Sequence, residues 1–380
     1  MLHNIKNKIK SNKYLRVIYD KLQCMVVVTQ YNFIKRYYSL KKEKSNKSVS
    51  YNTLNNTKPS VFYFGGDELQ DKSGFLQALD KYTHLTYFTK EDGSYGSYNF
   101  GVNNRDKNIE KNSNRLIELL NNMKQAPDVL LMQTWEWRIG LETLKKIRKL
   151  YPNIIIANIA MDDRHSFWLY GSKRHGSAGL IEELDFAFTT SSEAVEWYKK
   201  EGCNAYFYPL ASDPNVFFPI DIEKIYDVGF VGAKYGIREQ IVNQLELHGV
   251  KVKAYGNGWE NGRLPIEDTN KFYNQCKIVL GVSTILGCNN FVSMKLRDFD
   301  VPMSGSVYIT NYNKDTADIF MPDREVIYYK NIDECIDKIK KYLHDLDNLK
   351  TTRGNAYKKA ITNSYEIRIK NLLKHMGYQV

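Results

Sequence analysis

Five cysteines in 380 residues are too few and too scattered to hold a fold together. Cys24, Cys203, Cys276, Cys288 and Cys335 are odd in number and show no C-x-x-C spacing. Neither a disulfide framework nor a zinc site is indicated, and a reducing cytoplasm fits. Long apolar runs are also missing. The longest near the N-terminus, residues 24–28, is too short for a signal-peptide core or a membrane span. Most of the chain carries no excess of charge. Residues 1–60 hold thirteen Lys/Arg against Asp20 and Glu43, which accounts for the whole net charge of +11, while residues 61–380 carry 41 charges of each sign. A nucleic-acid groove through the body is therefore not expected. What remains is globular material, 43% hydrophobic and 26% charged, long enough for two ordinary cores.

The richest stretch runs from Asp227 to Gly305. DVGFVGAKYGIR (residues 227–238) reads as a short apolar strand, a turn at Gly232 and a helix beginning near Ile237. Backbone N–H groups at such a turn, with the helix dipole, can receive a phosphate. Lys234 and Arg238 flank the turn. AYGNGW places Tyr255, Gly256, Asn257 and Trp259 at the end of the next strand. SMKLRDFDVPMSG reads as a helix with Ser293 as N-cap and Gly305 as stop, Lys295 in its first turn, and Arg297 and Asp300 three apart on one face. A cation followed one turn later by a carboxylate suits a diphosphate and a ribose diol. Ordinary turn chemistry produces each of these pieces as well.

The order FVG…R, YGxGW, then R-x-F-acid-x-x-x-x-G resembles the C-terminal half of CgeB-type (spore-maturation-like) glycosyltransferases, a GT-B group related to glycosyltransferase family 1. The resemblance extends over residues 61–373, more weakly in the first half. It implies two Rossmann-like, doubly wound parallel-sheet domains facing a central cleft, with a nucleotide-diphosphate sugar bound by the second and the acceptor by the first. Tyr255 to Trp259 would then meet the nucleotide base. The family usually has glutamate where this chain has Asp300, and the second glutamate of many relatives is here Val292.

The basic arm carries amphipathic stripes. Leu15, Ile18, Leu22, Val26, Phe33 and Tyr37 share one helical face, and Leu2, Ile5 and Ile9 form a shorter stripe. With lysines on the other faces, residues 1–50 fit an anionic membrane surface, the protein's own body, or a second subunit in a homodimer. Residues 45–60 read as a polar linker. VFYFGG (residues 61–66) is a buried strand ending at Gly66, which the GT-B resemblance assigns to the acceptor. Residues 94–104, rich in glycine and tyrosine, read as a mobile surface loop.

Two further strand ends carry chemistry. Trp135, Glu136 and Trp137 follow the apolar strand at residues 129–133, a setting for stacking and hydrogen bonding to a sugar acceptor, or for core packing. MDDRHSFW (residues 161–168) follows the next strand. There Asp163 or His165, with Asp162 beside them, is placed to take the acceptor's hydroxyl proton, unless the two aspartates cap the turn and the histidine is structural. His175 is a weaker candidate in a later loop. The pair Asp162-Asp163 is not D-x-D, so no metal and no cofactor beyond the co-substrate is expected. Asp213-Pro214 and Pro219 suggest a hinge.

The sequence thus divides into a basic extension and linker (1–58), an acceptor domain (59–215), a donor domain (216–350) and a C-terminal helix crossing back (351–380). The function expected is metal-independent sugar transfer to a glycan, lipid-linked or protein acceptor in glycoconjugate or surface-polysaccharide synthesis. The enzyme would be cytoplasmic, or peripheral on the inner face of the membrane. A nucleotide-sugar epimerase and a non-catalytic nucleotide-sugar scaffold use the same frame and remain alternatives.

Overall fold

Apolar runs buried on both faces form parallel sheets, because crossover helices cover each side. The computed structural model, which describes residues 13–48 and 58–379 except 286, 287 and 290, contains two such sheets. The stripe of Leu2, Ile5 and Ile9 lies outside the described residues. The first sheet comprises β1 (Ser60–Phe64), β2 (His84–Tyr87), β3 (Val129–Met132), β4 (Ile155–Ala160), β5 (Phe186–Thr189) and β6 (Asn204–Phe207). Its order is β2-β1-β3-β4-β5-β6 and every pairing is parallel. The second comprises β7 (Tyr226–Val231), β8 (Val252–Tyr255), β9 (Cys276–Leu280), β10 (Val307–Asn311) and β11 (Ile327–Tyr329). Its order is β11-β10-β9-β7-β8, again all parallel. In each sheet the chain first steps to one side and then returns to the other, so switch points fall between β1 and β3 and between β7 and β9. Ligands of open α/β sheets bind at such points, outside the carboxyl ends of the strands.

Two compact units result. One gathers the described residues within 30–210 and 365–380, the other those within 1–29 and 211–364. The chain therefore changes unit after Thr29, after Leu210 and again after Ser364. Pro219 lies within the second unit, packed against Gly305. The C-terminal segment is two helices, not one: Leu346–Ile361 belongs to the second unit and Tyr365–His375 to the first, separated at residues 362–364. In the first unit, Arg368 donates to the Pro209 carbonyl (3.2 Å), and Glu366 meets Lys81 (2.9 Å) and Tyr82.

Two stretches expected to be loose are packed. Residues 94–104 are tied down at several points: Tyr95 donates to Asp71 (2.7 Å), the Ser97 amide to the Gly65 carbonyl (2.9 Å), and the Tyr98 amide to Asn112 (2.7 Å). The start of the linker is docked as well, because Lys47 gives its ammonium to the Ile181 and Leu184 carbonyls (3.0 Å each) at the end of a short helical turn. Carbonyls left over at helix ends attract such donors.

The helix Lys13–Leu40 contains no glycine or proline. Its last turns lie on the first unit, where Ile34 and Tyr38 are buried and Tyr38 stacks on Trp197 at 6.1 Å. Against the cost of burial, Lys173, Lys41 and the Tyr38 hydroxyl hold the Glu201 carboxyl at about 2, below the usual range. Among the described residues, no helix is long and apolar enough to cross a membrane.

Candidate functional site

The second unit brings most of the expected donor residues to the β7/β9 switch point. Arg297 reaches across to the strand ends and donates to the Val231 carbonyl (2.8 Å) and the Val282 carbonyl (3.3 Å). Arg238 donates to the Ala233 (2.8 Å) and Val282 (3.1 Å) carbonyls and is only 4% exposed. Both guanidinium Nε groups are buried without a partner, and among the described residues neither arginine forms an ion pair. Desolvation and the Arg297 charge lower the Arg238 pKa to about 10. Two like charges held out of water and side by side are costly unless an anion joins them.

Gly232 lies against these cations. A Cβ there would stand 2.9 Å from Arg297 Nη1 and 3.4 Å from Arg238 Nη1, so its bare backbone leaves that space open. The turn is braced from behind: Trp259 Nε1 donates to the Gly232 carbonyl (2.8 Å), and the Lys234 amide donates to the Asn257 carbonyl (2.7 Å). Gly256 has φ +132°, and a side chain there would collide with the Gly232 carbonyl, so this position requires glycine. Lys234 lies over the Trp259 ring at 5.0 Å and pairs with Glu239 at 3.1 Å, so its charge is partly answered. Tyr255 packs edge-on against Phe272 at 5.0 Å.

The third motif folds differently from its sequence pattern. The helix is Arg297–Met303, three residues shorter at its start than expected, and Leu296 holds the N-cap position. Ser293 instead donates its amide to the Ser283 carbonyl (3.1 Å), and Asp298 accepts the Lys295 amide (2.8 Å). Leu296 supplies no side-chain cap, and Asp298 in the first turn instead ties down the chain entering the helix. Gly305, at φ +69°, ends the helix. Asp300 is 6% exposed, and its Oδ1 has no hydrogen-bond partner. Burial drives its pKa up to about 8, opposed by the Ser212 hydroxyl beside it and by the Arg297 charge.

The first unit places Gly66 beside a side chain that the sequence did not flag. Its α-carbon abuts the Arg138 guanidinium, and a Cβ there would lie 3.0 Å from the Ser97 hydroxyl. Behind Gly65, Asp71 accepts hydrogen bonds from Tyr63 (3.0 Å) and Tyr95 (2.7 Å), and burial raises its pKa to about 6. Together with Gln133, Met161 and Tyr208, Asp71 lines a cavity of about 10 Å³ in which the buried Tyr208 hydroxyl has no partner. Asp71 left one signal in the sequence, an acid in helical phase with the apolar Phe75 and Leu79. Arg138 and Tyr208 left none.

Trp135 and Trp137 stack at 6.2 Å, and Trp135 Nε1 donates to Ser166 (3.0 Å), which joins the tryptophan pair to the DDRHS turn. Glu136 is not open to a sugar. It is 3% exposed and engaged by Arg105, with Nε donating at 3.0 Å. That pair borders a charged cleft of about 630 Å³, which Arg174 and Glu182 also line.

Within the DDRHS turn the residues divide. Asp162 adopts the left-handed region (φ +59°, ψ +28°), which is strained for a residue with a side chain. Its carbonyl accepts the His165 amide (3.0 Å). Asp162 and His165 are half-buried, whereas Asp163 is fully buried. The Asp163 carboxylate accepts from Ser177, from Thr189 (2.6 Å) and from Tyr198 (3.4 Å), and burial raises its pKa to about 6. With both oxygens engaged, it has the geometry of a hub. Asp163→Ala is expected to cost about 2–4 kcal/mol in denaturant unfolding, since three buried hydroxyls lose their acceptor. A loss below about 1 kcal/mol would return it to the candidates for a proton acceptor.

Residues 238–374 match the family model described as glycosyl transferase-like, a stretch that includes Arg238, Arg297 and Asp300. No curated protein sequence matches the chain. Among solved structures, sucrose-phosphate synthase from Thermosynechococcus elongatus aligns with a TM-score of 0.60 at 8% identity, covering 83% of this chain and 98% of that one. A glycosyltransferase involved in avilamycin A biosynthesis aligns at 0.54 and 12% identity, covering 84% and 97%. An alpha-glucosyltransferase solved in complex with UDP aligns at 0.54 and 12%, covering 83% and 98%. At these identities the likeness is one of fold: the two parallel-sheet units are those of the GT-B class.

Proposed function

We propose that the protein transfers a sugar from a nucleotide-diphosphate donor to a glycan, lipid-linked or protein acceptor, with the donor held by the second unit. The observation that carries this reading is the pair of guanidiniums of half-buried Arg297 and buried Arg238, held by carbonyls and without ion-pair partners, beside the bare face of Gly232. Sugar transfer breaks the bond between the anomeric carbon and a phosphate oxygen, leaving a nucleoside diphosphate with added negative charge. Fixed cations at a strand end stabilise that charge as it develops, without reorganising at the moment of reaction. Asp300, with one oxygen unused, suits the two ribose hydroxyls. The base would lie near Tyr255 to Asn257, where the Gly256 amide is already given to the Gly262 carbonyl (2.6 Å) and the Asn257 carbonyl already accepts the Lys234 amide (2.7 Å).

The acceptor's proton needs a group in the first unit. Asp162 and His165 keep that role in this reading, and Asp163 becomes the residue that positions their turn. The glycosyl transferase-like match and the UDP-bound structural neighbour support the donor class. Within that class we propose the CgeB-type branch, which the FVG and YGNGW motifs resemble and from which Asp300, in place of the usual glutamate, departs.

The test is a thermal-denaturation screen against nucleoside diphosphates and their sugars, followed by product analysis. One nucleotide is expected to stabilise the fold by about 2.7 kcal/mol at a hundredfold excess over Kd. Incubation with acceptor should then release that nucleoside diphosphate. Failure of every nucleotide to stabilise the protein refutes the reading, and isomerised donor in the absence of acceptor replaces it with an epimerase.

A further inference from the structure

An amphipathic helix normally turns its apolar stripe toward the body of the protein. The helix Lys13–Leu40 turns a second one away. Leu15, Ile18, Leu22, Met25, Val26 and Phe33 recur at three- and four-residue spacing and are each between 46% and 60% exposed. The stripe continues through Tyr37 to Leu40, which is 78% exposed. From Leu15 to Leu40 it runs roughly 37 Å at 1.5 Å per residue. The opposite side of the same helix carries the buried Ile34 and Tyr38, so packing onto the body is already satisfied there.

The charge beside the stripe indicates what covers it. Lys21, Lys35 and Arg36 are exposed along one edge, and Lys42 follows the helix. Asp20, the helix's one acid, falls on the far side of the helical wheel. The whole net charge of the chain, +11, resides in residues 1–60. An aromatic side chain stands close by: Tyr170 is 64% exposed at the tip of a turn whose next residue, Gly171, donates its amide to Gln30 of the helix (2.8 Å). A long exposed apolar stripe bordered by cations, with a tyrosine beside it, matches the boundary between headgroups and acyl chains of an anionic bilayer. Apolar side chains enter the boundary, and each lysine or arginine near the surface contributes about 1 kcal/mol.

We infer that the outward face of the helix Lys13–Leu40 is a membrane-surface binding site for anionic phospholipid. A second copy of the chain fits less well, because the two-fold pairing of such a face would set basic edge residues of both copies around one seam.

The inference is independent of the transferase reading, and its test needs no nucleotide. Full-length protein is floated with vesicles of phosphatidylcholine alone and of phosphatidylcholine with phosphatidylglycerol. Binding to the anionic vesicles is expected to exceed binding to the neutral ones at least tenfold and to fall as salt is raised. The triple variant Leu22→Glu, Met25→Glu, Val26→Glu, which spares Phe33 because its ring packs on Trp168 (5.7 Å), should lose that binding at least tenfold with an unchanged melting curve. Lys21→Glu with Arg36→Glu should weaken it while leaving the stripe intact. Equal binding by wild type and both variants overturns the inference. So does a lipid-free dimer, seen by light scattering, that the triple variant converts to monomer, since the stripe is then covered by a second copy.

Discussion

Arg297→Ala is expected to weaken nucleoside-diphosphate binding by about 1.5–3 kcal/mol, roughly ten- to a hundredfold in Kd. The loss is large because the guanidinium is preset. It is already oriented by the Val231 and Val282 carbonyls, so little side-chain entropy is spent when an anion arrives. Neutral carbonyls orient the cation without cancelling its charge. Arg297→Lys should recover only part of the affinity, since a single ammonium cannot span both carbonyls and a phosphate oxygen. Isothermal calorimetry checks both variants, alongside chemical denaturation to confirm that the unit is folded. Unaltered affinity in a folded Arg297→Ala protein would remove this residue from the site and take the proposed donor geometry with it.

Asp300→Asn is expected to do two opposite things. The folded-state pKa of Asp300 is about 8 against an ordinary value of 3.8. Between these values the native state holds a proton that the unfolded chain has released. Stability therefore falls as pH rises from about 4 to about 8, and the penalty is complete above that range. The asparagine variant carries no such charge. It should be more stable than wild type at pH 8.5 by about 3–5 kcal/mol, with the difference vanishing near pH 4. Measured at pH 8.5, where Asp300 is ionised, the same change should weaken nucleotide binding by about 1 kcal/mol for a ribose hydroxyl that loses its charged acceptor. Gain in stability with loss of binding is the signature of a group kept for a ligand at the expense of the fold. Denaturant titrations at pH 4.5, 6.5 and 8.5 measure the first effect. A pH-independent difference between the two proteins would show that Asp300 is ionised at no unusual cost.

The motifs of the proposed donor site are visible in the sequence because they are local. Gly232, Gly256 and Gly305 mark turns, and Arg297 and Asp300 sit three apart on one short helix, so their spacing needed no knowledge of the rest of the chain. The start of that helix was misplaced. Ser293 is a good N-cap by type, but Asp298 reaches back to the Lys295 amide and the boundary falls three residues later. The acceptor side was harder to read. Glu136 looks available beside two tryptophans until Arg105, thirty-one residues earlier, folds over it. Asp163 looks like a base until Ser177, Thr189 and Tyr198 close around it.

By itself the sequence determined the two parallel-sheet units, since runs such as VFYF and FAFT bury on both faces only inside such sheets. It also determined the turn glycines and the confinement of the positive charge to the first sixty residues. Tertiary structure alone decided which side chains are already engaged and which remain open. It satisfied Glu136 and Asp163, left Arg238, Arg297 and Asp300 short of partners, and turned the stripe from Leu15 to Leu40 outward. The reason is physical: periodicity and turn chemistry act over one or two turns of chain, whereas a buried group's free energy depends on whichever distant residues arrive to replace its water.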